Sequence, residues 1–404
     1  MRIGLLTAGT RGDVQPFIAL ALALRARGHQ VVLAAPAGMR DLVNDVGLPY
    51  TPIRADGVGV AYTESGRRAR GHPVETWRLF RHVVQPGIAA MLVDAAEALA
   101  GCEVLAFHPK AIAGRHLAEA WQVPGWVVTI APQIVPTAAF PAPGTIRADL
   151  GRLNRATYAV PAVLGFALRA QIGAWRSQLG LPPTWSPGVR MAGPRRLPVL
   201  HAHSRFLVPT PEDWDKDCHV TGFWTVAEAG RGSLGLPLVD FLDSGPAPLV
   251  VGFGAMTPPD AHATARLIVE AARRVRRRVV LVGLPEVDGA DVISVANVSF
   301  RRLFPRAAAT VHHGGAGTTA ASLLAGIPMV LVPHALDQPF WAGRVQAAGV
   351  GASVPERALS ASRLETALRL ALRADVVGRA EQMGEWMRTE RGAEQAASLI
   401  LEAG

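Results

Sequence analysis

The stretch Thr310-Val311-His312-His313-Gly314-Gly315-Ala316-Gly317-Thr318-Thr319 decides the fold of this 404-residue chain. A short strand-like run leads into a glycine-rich turn, and a helical pattern continues to Leu324, with Gly326 after it. The apolar run 329–332 then predicts another strand. A strand, a turn, a helix and a second strand in this order are typical of parallel α/β architecture.

The same pattern recurs in both halves of the chain. Apolar residues at helical spacing predict a helix over 15–27, and Gly28 follows it, where a C-terminal glycine is common. Further strands are predicted at residues 2–8, 31–34, 50–53, 249–253 and 279–283. The sequence therefore predicts an α/β protein with two Rossmann-like, doubly wound parallel-sheet domains.

A segment rich in proline, glycine and aspartate separates the two halves. We expect an N-terminal domain over 1–212, a linker over 213–236 and a C-terminal domain over 237–385. The remaining residues, 386–404, are predicted to form a helix that packs back on the N-terminal domain. Ligands of open α/β sheets bind beyond the carboxyl ends of the strands, so a cleft is expected between the domains.

Composition excludes several classes of protein. Half of the residues are hydrophobic and 18% are charged, which argues against a long disordered chain. Two cysteines, Cys102 and Cys218, exclude a disulfide framework. We expect no signal peptide and no transmembrane helix, and hence a soluble cytoplasmic protein. The net charge is +9, but the arginines are scattered without interleaved aromatics, so no nucleic-acid partner is expected.

The glycine-rich turn 313–319 is the strongest chemical signal in the sequence. Small residues let a ligand approach the backbone closely, and free N–H groups at a helix start attract anions. The turn therefore favours a diphosphate, whereas the structural alternative is a tight turn with a capping threonine. The segment 252–257 has the first two glycines of a G-x-G-x-x-G dinucleotide-binding motif, but Thr257 stands at the position of the third. No Walker A motif occurs.

Two further loops carry acidic side chains. Asp13 follows the first strand and lies before Pro16, so it is either a helix cap or a general base, and the residues alone do not separate these roles. Asp337 and Gln338 follow the strand at 329–332. Their donors and acceptors suit sugar hydroxyls, or else they cap the helix that follows.

These loops together resemble the nucleotide-sugar-dependent glycosyltransferases of natural products and sterols (glycosyltransferase family 1), which have the GT-B fold. The resemblance is closest to the bacterial, sterol-glucosyltransferase-like branch, near the glycopeptide-antibiotic enzymes. It rests on segments spread over nearly the whole chain: Gly9-Thr10-Arg11-Gly12-Asp13-Val14-Gln15-Pro16, Phe107-His108-Pro109-Lys110, 136–141, 175–182, 220–224, 312–319 and 337–341.

The resemblance implies a role for each matching residue. Asp13 would take the proton from the acceptor hydroxyl in an inverting transfer, and no metal ion or other cofactor is expected. Asp337 and Gln338 would bind the donor sugar, and Val298 the nucleotide base. The donor diphosphate would lie near Thr10, Arg11, His313, Gly315, Gly317, Thr318 and Thr319.

The implied partners are a UDP- or dTDP-sugar and a hydrophobic acceptor of polyketide, macrolide, glycopeptide or sterol type. The N-terminal domain binds acceptors in this family, and we predict Trp77 and Phe140 as contacts. Trp77 belongs to a predicted amphipathic helix, which could also pack on the core or touch a membrane. No stable membrane insertion is expected, and the chain is predicted to be a monomer or a homodimer.

Three departures from the family pattern concern the donor. Ala255 stands where serine is frequent, Val298-Ser299 replaces Val-Pro, and Arg301-Arg302 replace an acidic residue and tryptophan. Two alternatives stay open: a nucleotide-sugar 2-epimerase, which shares this two-domain fold, and a catalytically inactive partner of another glycosyltransferase, to which Ala255 points. The intact Asp13, His313 and Asp337-Gln338 argue against an inactive partner, and a required acceptor would distinguish transfer from epimerisation.

Overall fold

The computed structural model describes residues 1–55, 66, 72–159, 166–183, 189–226, 234–254, 256, 258 and 260–402. The chain forms two compact units. We call them the N-unit (Met1–Arg205, Thr210–Ala227 and Arg391–Gly404) and the C-unit (Phe206–Pro209 and Glu228–Glu390).

A seven-stranded parallel sheet forms the centre of the N-unit, in the order β3-β2-β1-β4-β5-β8-β9, and a short antiparallel pair, β6 and β7, lies apart from it. The strands are β1 (Arg2–Leu6), β2 (Gln30–Pro36), β3 (Tyr50–Ile53), β4 (Val104–Phe107), β5 (Gly125–Thr129), β6 (Met191–Ala192), β7 (Arg195–Arg196), β8 (Val199–His201) and β9 (Cys218–Val220).

Helices accompany the strands in the N-unit. They are α1 (Arg11–Arg25), α2 (Arg40–Asn44), α3 (Pro73–Leu79), α4 (Gln85–Ala98), α5 (Ala113–Ala120), α6 (Asn154–Thr157) and α7 (Arg169–Gln178). A π-helical turn, Phe80–Val84, joins α3 to α4, and 3₁₀ turns occupy Ala37–Met39 and Gly151–Leu153. The apolar face of α1 is fully buried in the core, as its helical spacing predicted.

The C-unit has a six-stranded parallel sheet in the order β12-β11-β10-β13-β14-β15. Its strands are β10 (Leu249–Gly252), β11 (Val279–Val282), β12 (Val292–Val295), β13 (Ala309–His312), β14 (Met329–Leu331) and β15 (Gly351–Ser353). Its helices are α8 (Leu236–Asp243), α9 (Ala261–Arg274), α10 (Phe300–Leu303), α11 (Ala316–Leu324), α12 (Gln338–Ala347), α13 (Ala361–Ala371) and α14 (Ala374–Thr389), with 3₁₀ turns at Phe304–Arg306 and Glu356–Ala358.

The last helix, α15 (Gly392–Glu402), belongs to the N-unit. Its Ala393, Ala396 and Ile400 side chains are buried in the same core as Phe17 of α1. The segment 213–236, expected to be a linker, is not uniform. Its residues 218–220 form β9, because their backbone groups pair with those of β8 at the edge of the sheet.

The strand order places two loops in each unit side by side. In the N-unit the order reverses between β1 and β4, and in the C-unit it reverses between β10 and β13. Loops that leave neighbouring parallel strands on either side of such a reversal diverge and open a crevice for ligands. Among the described residues, no helix is long and apolar enough to cross a membrane.

Candidate active site

Asp13 lies in the first turn of α1, directly after β1. The helix begins at Arg11 and not at Gln15, the predicted start. The Asp13 carboxylate is buried, and its Oδ2 accepts the Thr10 backbone N–H at 2.8 Å and the Thr10 hydroxyl at 3.3 Å. Asp13 is therefore the third residue of a capping box whose N-cap is Thr10, and this role occupies only one of its two oxygens.

The second oxygen, Oδ1, faces the loop that follows β4. The Lys110 ammonium Nζ lies 2.6 Å from Oδ1, and the His108 ring Nε2 lies 3.7 Å from it. The His108 Nδ1 accepts the Lys110 backbone N–H at 3.1 Å, so the proton of the neutral ring is on Nε2 and points toward Asp13. Residues 107–110 carried only the family resemblance in the sequence, and this ion pair was not predicted.

Three effects act on the Asp13 carboxyl. Burial raises its pKa and is the largest single effect, but the ammonium charge of Lys110, the electrostatic interaction with the His108 ring and the hydrogen bonds from Lys110 and Thr10 together outweigh it. The net pKa is lowered, so Asp13 is ionised at neutral pH. Burial lowers the pKa of His108 to about 4, so that ring is neutral at the same pH.

Gly9 provides the space that the Asp13 carboxylate occupies. Its φ of +126° is a conformation that favours glycine, and a Cβ atom there would overlap Asp13 Oδ2. The Thr7 hydroxyl donates to the Asp13 carbonyl at 2.9 Å. The β1–α1 loop therefore fixes both the backbone and the side chain of Asp13.

In the C-unit, the glycine-rich turn connects β13 to α11. Gly315 is the N-cap of α11, and Gly314 has φ +86°. A Cβ atom at Gly315 would lie 2.5 Å from the His313 Nε2, so glycine leaves room for the imidazole. The first N–H groups of α11 have no partner within the helix, which makes this turn suitable for an anion.

Two adjacent histidines in this turn differ in their surroundings. His312 is fully buried, and its Nδ1 accepts the Gly314 N–H at 3.1 Å, so it supports the turn from inside. Burial lowers the pKa of His312 to about 3. Burial, and then the ring of His334, lowers the pKa of His313 to about 4. Both rings are neutral at pH 7, and His313 can donate a hydrogen bond.

The two threonines of the turn also differ. Thr318 is partly exposed, whereas Thr319 is fully buried and its hydroxyl has no partner among the described residues. The Thr319 hydroxyl is therefore shielded from solvent, unlike that of Thr318. Gly317 is exposed, and a Cβ there would meet nothing within 4 Å.

Asp337 and Gln338 follow the neighbouring strand, β14, and Gln338 begins α12. The Gln338 Oε1 accepts the backbone N–H groups of His334 and Ala335 at 2.8 and 3.1 Å. The Asp337 Oδ2 accepts the indole N–H of the buried Trp341 at 2.8 Å. Both side chains thus support their own loop. This loop lies against the glycine-rich turn, because a Cβ atom added at Gly314 would lie 3.3 Å from the Gln338 carbonyl oxygen.

The structure places the other predicted residues in varied surroundings. Arg11 is exposed beside Asp13, and Val298 is partly buried. Trp77 in α3 is 56% exposed, with the Arg81 guanidinium 5.5 Å from the ring centre. Phe140 is only 7% exposed. Ala255 lies outside the described residues.

Two family profiles match this chain. Residues 3–140 match the Glycosyltransferase family 28 N-terminal domain. Residues 263–395 match the C-terminal domain of the erythromycin biosynthesis protein CIII-like family.

Curated relatives align over the whole chain. O-mycaminosyltylonolide 6-deoxyallosyltransferase of Streptomyces fradiae is 37% identical over 100% of this chain and 97% of its own length. Vancomycin aglycone glucosyltransferase of Amycolatopsis orientalis is 32% identical over 100% and 98%. Sterol 3-beta-glucosyltransferase UGT80A2 of Arabidopsis thaliana is 32% identical over 100% of this chain and 65% of that longer protein.

Solved structures share the fold. The glycosyltransferase of kitacinnamycin has a TM-score of 0.76 at 22% identity, covering 100% of this chain and 98% of its own. Glycosyltransferase VinC, solved in complex with dTDP, has a TM-score of 0.67 at 18% identity, covering 100% and 99%. The two parallel-sheet units are those of the GT-B fold. The chain therefore belongs to the glycosyltransferase family that includes the O-mycaminosyltylonolide and vancomycin aglycone enzymes.

Proposed function

We propose that this glycosyltransferase moves a hexose or deoxyhexose from a UDP- or dTDP-sugar to a hydroxyl of a hydrophobic natural product, with inversion at the anomeric carbon. Asp13 acts as the general base. The reaction needs no divalent metal ion.

The buried, ionised Asp13 carboxylate carries this proposal. Oδ2 is occupied by Thr10, whereas Oδ1 accepts from Lys110 and retains a second lone pair for an acceptor hydroxyl. As the hydroxyl oxygen forms its bond to the anomeric carbon, its proton passes to Oδ1. The bond from that carbon to the diphosphate breaks on the opposite side, and the electron pair leaves with the diphosphate.

The C-unit supplies groups suited to the donor. The start of α11 offers backbone N–H groups, and the neutral His313 offers a further donor to the charge that develops on the diphosphate. Asp337 and Gln338 lie on the adjoining loop, where a sugar attached to the diphosphate would be within reach. Binding of dTDP by the structural neighbour VinC supports a nucleotide diphosphate as donor.

The relatives support the acceptor class. The names of relatives that align along the whole chain specify O-mycaminosyltylonolide, the vancomycin aglycone and a sterol. We therefore assign this chain an acceptor of polyketide, macrolide, glycopeptide or sterol type. Trp77, exposed on the N-unit, remains a proposed acceptor contact, and so does Phe140.

The test is a transfer assay with UDP-glucose, dTDP-glucose and dTDP-deoxyhexoses against a panel of macrolactone, glycopeptide-aglycone and sterol acceptors. Mass spectrometry detects the product, and the coupling constant of the anomeric proton gives its configuration. We expect an acceptor-dependent product of inverted configuration that forms equally well with EDTA. A retained configuration, or epimerised donor without acceptor, would contradict the proposal.

A further inference from the structure

Lys110 is an exception in this chain. Of 41 basic Lys and Arg residues, only Lys110 and Lys216 are lysines. Lys216 is exposed, whereas the Lys110 side chain is 31% exposed and ends on the 11% exposed side chain of Asp13. A lysine in an arginine-rich chain points to a site where a compact ammonium is preferred over a guanidinium.

We infer that Lys110 is a positioning residue for Asp13: its ammonium fixes the orientation of Oδ1 and keeps the carboxylate deprotonated between turnovers. This inference rests on the proposed function, because it assigns Lys110 a role through the base of that reaction. Lys110 lies 97 residues from Asp13 in sequence, and the pairing of β1 with β4 brings them together.

The geometry holds both carboxylate oxygens. Thr10 anchors Oδ2 with a backbone and a hydroxyl donor, and Lys110 anchors Oδ1 at 2.6 Å. Rotation of the carboxylate would break both sets of contacts. Because the pair is largely shielded from solvent, the attraction is stronger than that of an exposed ion pair.

Lys110 carries the main positive charge next to Asp13. Among the described residues, Lys110 and His108 face the carboxylate, both from the loop after β4. Burial lowers the pKa of His108 to about 4, so at neutral pH the lysine supplies the positive charge. When Asp13 has taken the acceptor proton, the ammonium favours release of that proton to solvent, which regenerates the base.

Arginine would fit this position less well. A guanidinium binds carboxylates through two parallel N–H groups, and the Asp13 Oδ2 already accepts the Thr10 N–H. The Lys110→Arg variant should therefore keep the charge but disturb the direction of Oδ1. Lys110→Met removes the charge with little change of side-chain length.

The kinetic test compares the pH dependence of kcat/KM in the wild type, K110M and K110R, with K216M as the matched control. Loss of an adjacent cation should move the acid limb of the kcat/KM profile of K110M to a pH about one to three units higher. In K110R the limb should stay near that of the wild type while kcat falls. In K216M neither the acid limb nor kcat should change. An acid limb in K110M that coincides with that of the wild type would overturn the inference.

A second measurement does not depend on turnover. The ¹³C carboxyl resonance of Asp13, assigned by its absence from D13N, is titrated in aspartate-labelled wild type, K110R and K110M. The midpoint should rise in K110M and stay low in K110R, and an unchanged midpoint in folded K110M would refute the role of Lys110. If no donor and acceptor pair reacts in the wild type, the proposed function fails, while this titration still tests Lys110. If K110M does not fold, the K110R profile and titration decide: a raised midpoint there contradicts the inference.

Discussion

Replacement of Gly315 by alanine tests whether the glycine-rich turn holds His313 in place. The backbone at Gly315 has φ −64° and ψ 140°, which alanine adopts readily, so the substitution is not strained by its backbone angles. The added Cβ would lie 2.5 Å from the His313 Nε2 and 3.3 Å from its Cε1. These contacts are shorter than van der Waals distances, and His313 must therefore move.

The magnitude follows from two terms. Overpacking at a fitted position costs about 1–3 kcal/mol of unfolding free energy, which corresponds to about 2–4 °C in Tm per kcal/mol for a unit of this size. Displacement of His313 would remove the proposed hydrogen bond to the donor diphosphate, worth about 1.5–3 kcal/mol, or about 10- to 150-fold in affinity. We therefore expect G315A to lose both stability and affinity for UDP or dTDP.

Calorimetric titration with UDP and dTDP, together with thermal unfolding, measures both effects. Gly343→Ala is the matched control, because a Cβ at Gly343 in α12 would meet nothing within 4 Å and the residue is exposed. Gly317→Ala separates the effect on stability from the effect on nucleotide affinity. It adds a methyl group to the turn without touching His313, so it should not lower Tm. If G315A binds the nucleotide as tightly as the wild type does, His313 is not a donor to the diphosphate.

Two further substitutions test the supports of the two loops. Gly9→Ala forces a strained backbone and an overlap of the new Cβ with Asp13 Oδ2. Transfer activity should fall at least 100-fold, as expected for a misplaced general base, whereas Gly38→Ala at an exposed glycine should leave it unchanged. A fully active G9A enzyme would contradict the account of this loop. His312→Ala leaves the Gly314 N–H without its acceptor in a buried turn, so the free energy of unfolding, measured in urea, should fall by about 1–3 kcal/mol or more. An unchanged urea midpoint of unfolding would show that the turn does not depend on His312.

The sequence predicted the strands that frame each site, because buried parallel strands are short apolar runs between recognisable turns. It misplaced the start of α1 by four residues, since Pro16 suggested the first turn. Thr10 and Asp13 carry the capping pattern that would have placed the start correctly. Thr319 was predicted as a diphosphate contact, but its spacing from Ala316 and Leu323 on one face of α11 would have indicated that it is buried.

The ion pair between Lys110 and Asp13 could not be derived from local pattern. It depends on which strands are neighbours, and β4 lies beside β1 only because the strand order reverses there. The available signal was chemical: a lysine in an arginine-rich chain, in a loop after an apolar strand. Similarly, the pairing of β9 with β8 depends on a free sheet edge, which a proline- and glycine-rich segment does not reveal.

The most direct test of the central claim is the rate of sugar transfer by Asp13→Asn, measured with the donor and acceptor pair identified for the wild type. Asparagine can still accept the Thr10 N–H, so the helix cap is retained while the basic oxygen is lost. Asp41→Asn, an exposed first-turn aspartate of α2, is the control. We predict a fall of about 100- to 10,000-fold in kcat with nucleotide affinity unchanged. Wild-type kcat in a folded D13N enzyme would contradict the assignment of Asp13 as the base.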